Sequence, residues 1–252
     1  MRAADNIRGW LIDLDGTLVC DGRAMPGAAA FLEACAGRFV VVSNDAEHTP
    51  AELQRRLQSM GLDVPAGRIV LAGAVALDDI AARRPGARVL MLASSGLARH
   101  ARKLGLVPAR VRPDVVFLGR DRRFSHVRLA LAANAVRQGA ELVVANPDLV
   151  HPGANGAIVP ETGALLAALL ACTGPVSYRL IGKPEAALFA AGLALLGLPR
   201  EAVAMVGDNP STDGEGARRF GLRYVAVAGG KLPPLHIETA CPDRQDMVAL
   251  PT

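Results

Sequence analysis

Trp10-Leu-Ile-Asp13-Leu-Asp15-Gly-Thr17-Leu18 is the stretch on which the reading of this chain turns. An apolar run ends in two aspartates one residue apart, and a Gly-Thr turn follows. Alternate side chains of a half-buried strand share a face, so Asp13 and Asp15 are expected to point the same way at a strand's C-terminal end. Two carboxylates held there repel each other, and Mg²⁺ is the cation best suited to a set of oxygen ligands. The segment points to metal-assisted phosphate chemistry.

Outward from this stretch, strand-like and helix-like segments alternate. Short apolar runs fall at 9–14, 39–43, 87–92, 114–118, 141–145, 178–181, 203–206 and 223–227. Amphipathic stretches lie at 27–36, 50–60, 74–83, 96–104, 125–137, 161–171, 184–196 and 212–219. Such alternation predicts βαβ units and a parallel sheet, an α/β fold. Pro26-Gly27, Thr49-Pro50 and Lys183-Pro184 mark helix starts, and Gly61, Gly105 and Gly221 mark helix ends. Polar signatures follow four of the strands: Asp13-x-Asp15, Ser43-Asn44-Asp45, Gly182-Lys183 and Gly207-Asp208-Asn209. Ligands of open α/β sheets bind outside the carboxyl ends of the strands, so these four ends are expected to converge on one pocket. The interval between the second and third signatures in chain order, Asp45 to Gly182, is too long for a bare loop and carries its own strand–helix alternation. It reads as an inserted domain, with residues 1–75 and 178–252 forming the core and 76–177 the insert. The tail from Leu232, with Pro233-Pro234 and Pro242, reads as irregular.

Composition narrows the function classes. The chain has 252 residues, 51% hydrophobic, and supports a substantial core. Its net charge of +4 rests almost wholly on scattered arginines, with lysine only at Lys103, Lys183 and Lys231. Aromatic residues are 4%, which leaves few platforms for base stacking, and no nucleic-acid partner is expected. Cys20, Cys35, Cys172 and Cys241 form no pair with metal-ligand spacing and read as reduced thiols. The apolar stretch 164–172 is too short to span a bilayer, and the N-terminus has no signal-peptide pattern, so no membrane partner and a cytoplasmic location are expected.

Phosphoryl transfer needs an in-line nucleophile, a proton donor for the leaving oxygen, a divalent cation and donors around the equatorial oxygens. Asp13 is the candidate nucleophile, through an aspartyl-phosphate. Asp15 can protonate the leaving group and then activate water. Asp208 can complete a Mg²⁺ shell, with Asp213 and Asn209 in support. Lys183 can neutralise the transferring group and keep Asp13 ionised. Ser43 and the Asn44 N–H can bind a phosphoryl oxygen.

The four signatures resemble the motifs of the haloacid dehalogenase (HAD) superfamily: Asp13-Leu-Asp-Gly-Thr17, Ser43-Asn44, Gly182-Lys183-Pro184 and Gly207-Asp208-Asn-Pro-Ser-Thr-Asp213. Pro26-Gly27-Ala28, Asn146-Pro147-Asp148 and Pro160-Glu161-Thr162-Gly163 extend the resemblance to the phosphatase subfamily IIA, with its NagD-like, 4-nitrophenyl-phosphate and pyridoxal-phosphate phosphatases. The resemblance implies a Rossmann-like core with a C2-type α/β cap, and Mg²⁺ held by the Asp13 side chain, the Asp15 carbonyl and Asp208. It implies a small phosphorylated metabolite as partner, a histidine set against the substrate at His151, and a homodimer through the cap. Three positions depart from the pattern. Asp45 is counted with the substrate- and phosphate-binding residues, although its carboxylate beside the phosphate is unfavourable unless it turns away or meets a cationic substrate group. Glu161 occupies the second position of a usual Pro-Gly-x-Gly, and Gly214-Glu215-Gly216 follows Asp213. Besides a phosphatase, the same core could serve a phosphotransferase or mutase, or a non-catalytic metabolite-binding protein.

Overall fold

The computed structural model describes residues 7–152, 157–227 and 231–232. The expectation for the proline-containing tail, and Cys241 with it, lies outside the described residues.

The first half of the chain begins with β1 (Gly9–Ile12), the two-residue pair β2 (Val19–Cys20) and β3 (Arg23–Ala24), and α1 (Ala28–Ala34). It continues with β4 (Phe39–Ser43), α2 (Pro50–Ser59), β5 (Ile69–Leu71) and α3 (Ala72–Arg83). Next come β6 (Arg88–Leu92), α4 (Ser95–Lys103), β7 (Val107–Pro108), β8 (Val115–Leu118), α5 (His126–Arg137) and β9 (Glu141–Val144). The β10 (Val150–Pro152) and β11 (Ile158–Pro160) strands pair antiparallel ahead of α6 (Thr162–Thr173) and β12 (Arg179–Leu180). The chain closes through α7 (Ala186–Leu196), β13 (Val203–Gly207), α8 (Glu215–Phe220) and β14 (Arg223–Ala226).

Two parallel five-stranded sheets result. The first runs β14-β13-β1-β4-β5. Counted along the chain within this sheet, the order is 3-2-1-4-5 from β5 to β14, the doubly wound arrangement whose switch point lies between β1 and β13. Asp13 follows β1 and Asp208 follows β13, so the topology alone makes them neighbours at that crevice. β1, β4 and β13 are buried at every residue, as expected of strands covered by helices on both faces. This corrects the half-buried strand expected for residues 9–14. Beyond Ile12 the chain leaves the ladder, Asp13 is buried and Asp15 opens toward solvent.

The second sheet runs β12-β9-β8-β6-β7. β12, and the Gly182-Lys183 signature after it, therefore extend from this sheet and not from the first. Only three of the four polar signatures end strands of one sheet; the fourth reaches in from the edge of the other. The expected boundaries fall inside α3 and just ahead of β12. Strand β5 escaped the sequence reading because three residues carry too little periodicity.

One hydrophobic cluster runs through both sheets. Leu11, Val40 and Val42 of the first pack with Ala76, Leu77 and Ile80 of α3, and these with Val89, Val115, Phe117 and Val143 of the second. α2 begins where the sequence says it should. Thr49 accepts from Glu52 N at 3.3 Å, Glu52 Oε2 accepts from Thr49 N at 3.0 Å, and Pro50 takes the first helical position.

Candidate active site

Lys183 is 2% exposed, and each of its three ammonium protons has an acceptor. Nζ lies 2.5 Å from Asp13 Oδ1, 2.7 Å from Asp213 Oδ1 and 3.0 Å from the Val42 carbonyl. The two carboxylates push the Lys183 ammonium well above the usual lysine range, against the cost of its burial. Burial raises Asp13 and Asp213 to about 6 each, with Lys183 pulling the other way. All three groups are therefore charged at neutral pH. With Oδ1 held by Lys183, Asp13 is left with Oδ2, which the Thr17 hydroxyl approaches to 3.3 Å.

Asp15 faces the mouth of a cavity of about 950 Å³ that Asp13, Ser43, Lys183, Asp208 and Asp213 also line. Protein surrounds it on the remaining sides, and that desolvation, with the charges of Asp45 and Glu161, lifts it to about 6. Asp208 is raised for the same first reason, by partial burial, and next by Asp213. Single carboxylate oxygens of Asp13, Asp208 and Asp213 lie within 4.8 Å of one another. Gly16 makes this packing attainable. It adopts φ +80°, and a Cβ there would run into the Asp208 carboxylate.

Asp213 was expected near a helix start. It sits in a π-helical turn, Pro210–Gly214, capped by Asn209, whose Oδ1 accepts from Ser211 N at 2.9 Å. The Asn209 N–H donates to Asp213 Oδ2 at 3.2 Å, so Asn209 sets the orientation of Asp213.

The loop after β4 joins the two sheets. Ser43 is buried and its Oγ accepts from Asp45 N at 3.1 Å, which leaves the hydroxyl proton to donate elsewhere. Asn44 holds the Lys183 backbone on both sides: Oδ1 accepts from Lys183 N at 2.7 Å and Nδ2 donates to Lys183 O at 3.1 Å. The same Nδ2 reaches Asp148 at 3.0 Å, and the Asn44 carbonyl accepts from Asn146 Nδ2 at 2.6 Å. Asp45, expected among the substrate- and phosphate-binding residues, turns instead into its own loop, where local donors take both its oxygens. Oδ1 accepts from Glu47 N at 2.7 Å and His48 N at 2.8 Å, and Oδ2 from His48 Nδ1 at 2.7 Å. These bonds hold the Asp45 carboxyl below its usual range despite burial. His48 Nε2 accepts in turn from Arg56 at 2.7 Å.

On the far side of the cavity, His151 Nδ1 donates to Glu161 Oε1 at 2.6 Å, and Arg120 Nε approaches the same oxygen at 3.3 Å. Arg120 Nη1 also pairs with Glu47 at 3.0 Å. Arg120 and its neighbour Asp121 part company. Asp121 is buried and pairs with Arg128, while Arg120 lines the cavity. His48, Glu47, Arg56, Asn146, Asp148 and Glu161 also line it and were not singled out as site residues. Asn146, Asp148 and Glu161 belong to motif-like strings, a usable signal; Glu47, Arg56, His48 and Arg120 carry none.

A model of haloacid dehalogenase-like hydrolases matches residues 10–107, and a HAD-hydrolase-like model matches residues 180–250. The chain is 31% identical to the dihydroxyacetone phosphatase of Corynebacterium glutamicum over 88% of its own length and 81% of that protein's. It belongs to the HAD-like hydrolases. Among solved structures, it is similar to a 4-nitrophenylphosphatase from Thermotoga maritima, with TM-score 0.85 and 30% identity over 93% of this chain and 90% of that one. It is also similar to a glycerol phosphate phosphatase from Mycobacterium tuberculosis in complex with magnesium, with TM-score 0.82 and 34% identity over 90% of this chain and 68% of that one. The enzyme class of this HAD hydrolase is accordingly phosphomonoester hydrolase. Among the described residues no helix is long and apolar enough to cross a membrane.

Proposed function

We propose that this HAD hydrolase cleaves small, hydroxylated phosphomonoesters through an aspartyl-phosphate on Asp13. The observation that carries the reading is the buried Lys183 bridging Asp13 and Asp213 at the floor of a cavity into which Asp15 opens. Lys183 fixes Oδ1 and leaves Oδ2 of Asp13 to attack phosphorus in line. The bond to the leaving oxygen breaks as Asp15, protonated in a fraction of molecules by its raised pKa, delivers its proton. The ionised Asp15 then takes a proton from a water that attacks the phosphoryl group, so that phosphate leaves and Asp13 is regenerated. Ser43 Oγ–H and Lys183 stabilise charge on the transferring group.

The donor set suits a hard divalent cation. Asp13, Asp208 and Asp213 supply carboxylate oxygens, and the Asp15 carbonyl is a fourth candidate. Bound Mg²⁺ would offset the repulsion between these carboxylates and the phosphate dianion. The turn after β9, the β10–β11 pair and the start of α6 act as a cap over the catalytic end, because Asn146, Asp148, His151 and Glu161 line the cavity. The names of the relatives support a small polyol or keto-sugar phosphate as substrate. Free thiols at Cys20, Cys35 and Cys172 support a reducing cytoplasm.

Release of inorganic phosphate from 4-nitrophenyl phosphate, with and without Mg²⁺, tests the proposal. Turnover should require Mg²⁺, and Asp13→Asn should lower kcat by about three orders of magnitude or more. Normal turnover by Asp13→Asn would overturn the assignment.

A further inference from the structure

The hydrolase reading leaves open what the cap recognises, and the Glu161 cluster speaks to that. Glu161 occupies the N-cap of α6 with an extended backbone, a position where the shorter Ser, Thr, Asp or Asn side chains accept from the first free N–H groups of the helix. It makes no such bond. Its carboxylate turns the other way, into the cavity, where His151 and Arg120 converge on Oε1. Among the described residues Oε2 makes no hydrogen bond and remains an acceptor. His151 uses Nδ1 on Glu161 and keeps Nε2 for a ligand.

The cluster lies where the leaving group must be. Glu161 and Asp15 line the same cavity, and the charge of Glu161 is felt at Asp15, the group that protonates the departing oxygen. The atoms attached to that oxygen therefore pass between Asp15 and Glu161. Arg120 adds no free positive charge here, since Glu47 and Glu161 both pair with it. No Phe, Tyr or Trp is among the described residues lining the cavity.

Resting on the phosphatase reading above, we propose that Glu161, positioned by His151 and Arg120, determines substrate specificity by accepting a hydroxyl of the leaving group. It selects neutral, hydroxyl-bearing leaving groups. It disfavours carboxylated ones, which would meet the Glu161 carboxylate as a like charge.

The test compares kcat/KM for glycerol phosphate, phosphoglycolate and 4-nitrophenyl phosphate in the wild type, Glu161→Gln and Glu161→Ala. The wild type should favour glycerol phosphate over phosphoglycolate. Both variants should lower the ratio of glycerol phosphate to 4-nitrophenyl phosphate about tenfold, the scale of one hydrogen bond to a charged group, and should narrow the gap to phosphoglycolate. Glu161→Gln is close to isosteric and keeps the test readable if Glu161→Ala does not fold. An equal loss on all three substrates in the folded variants would mean that Glu161 is merely structural and would overturn the proposal. So would a wild type that hydrolyses phosphoglycolate as well as glycerol phosphate. If the wild type released phosphate from none of the three, the phosphatase reading itself would fall, a failure distinct from unaltered ratios.

Discussion

Lys183 ties the stability of the fold to the candidate site. A buried ammonium with three acceptors holds two carboxylates ionised where burial alone would favour their protonation. Lys183→Met keeps the volume and removes the charge, leaving Asp13 and Asp213 buried without a cation. We expect a loss of about 3–5 kcal/mol of unfolding free energy at neutral pH, measured by urea denaturation in Mg²⁺-free buffer. The pH dependence has a defined sign. Without Lys183 the folded-state pKa values of both aspartates rise further above their unfolded values, so the deficit is largest at alkaline pH. It shrinks as the pH falls toward about 6, because the variant takes up protons on the two groups above the value at which the wild type does. A deficit that grew on acidification would contradict this account. At the same scale, Asp13, Asp15, Asp208 and Lys183 were legible because spacing and strand ends set them apart. Arg120 was not, since an arginine after a Leu-Gly pair looks the same whether it faces solvent or a cavity.

Among the elements, α6 is placed by contact rather than by capping. Gly163 N donates to the Asp148 carbonyl at 2.8 Å, and a Cβ at Gly163 would collide with the carbonyls of Pro147 and Asp148. Those carbonyls are rigid backbone, so Gly163→Ala must push α6 away from the Asn146-Pro147-Asp148 turn. We expect a destabilisation of about 2 kcal/mol or more, read as a lowered Tm, with a raised KM because Asp148, His151 and Glu161 shift with the helix start. An unchanged Tm would show that the turn can yield. The glycine of this Pro160-Glu161-Thr162-Gly163 string was legible, but its reason was not, because the carbonyls it must avoid come from a separate turn. Strands β1, β4 and β13 were legible as continuous apolar runs. β5 was too short to speak for itself; β12 was legible within the run 178–181, but which sheet it joins is decided by pairing with Val143 and Val144.

Across the whole molecule, an ion cluster ties the shared helix α3 to the second sheet. Asp79 accepts from Arg179 Nε and Nη2 and from Arg83 Nε, all at 2.8 Å, while Arg83 and Arg84 also reach Glu141. Partial burial would raise the Asp79 carboxyl, yet the hydrogen bonds from Arg179 and Arg83 hold it below its ordinary value. A depressed folded-state pKa gives stability that is present above the unfolded value of 3.8 and is lost as pH falls through the folded one. Asp79→Asn should therefore cost about 0.2–1 kcal/mol at pH 7, and the gap to wild type should close below about pH 4 in thermal unfolding. A gap that persisted at low pH would assign the loss to packing. The same region explains why the insert boundary could not be drawn from the sequence. Its expected start at residue 76 divides α3, and Ala76, Leu77 and Ile80 belong to a hydrophobic cluster common to both sheets.

By itself the sequence determined the α/β class, the order of most strands and helices, the capped start of α2, and the four candidate groups Asp13, Asp15, Lys183 and Asp208 that line one cavity. These are local properties: periodicity, caps, and polar residues at the ends of apolar runs. Only the tertiary structure decided that Lys183 enters from the edge of the second sheet, that Asp45 turns into its own loop to hold His48, and that Glu161 lines the same cavity as Asp15. Each depends on which distant backbone lies opposite, and sequence spacing has no bearing on that. The carboxylate pair at Asp13 and Asp15 could be read from nine residues, whereas its counter-ion and its cap require the two sheets to be packed together.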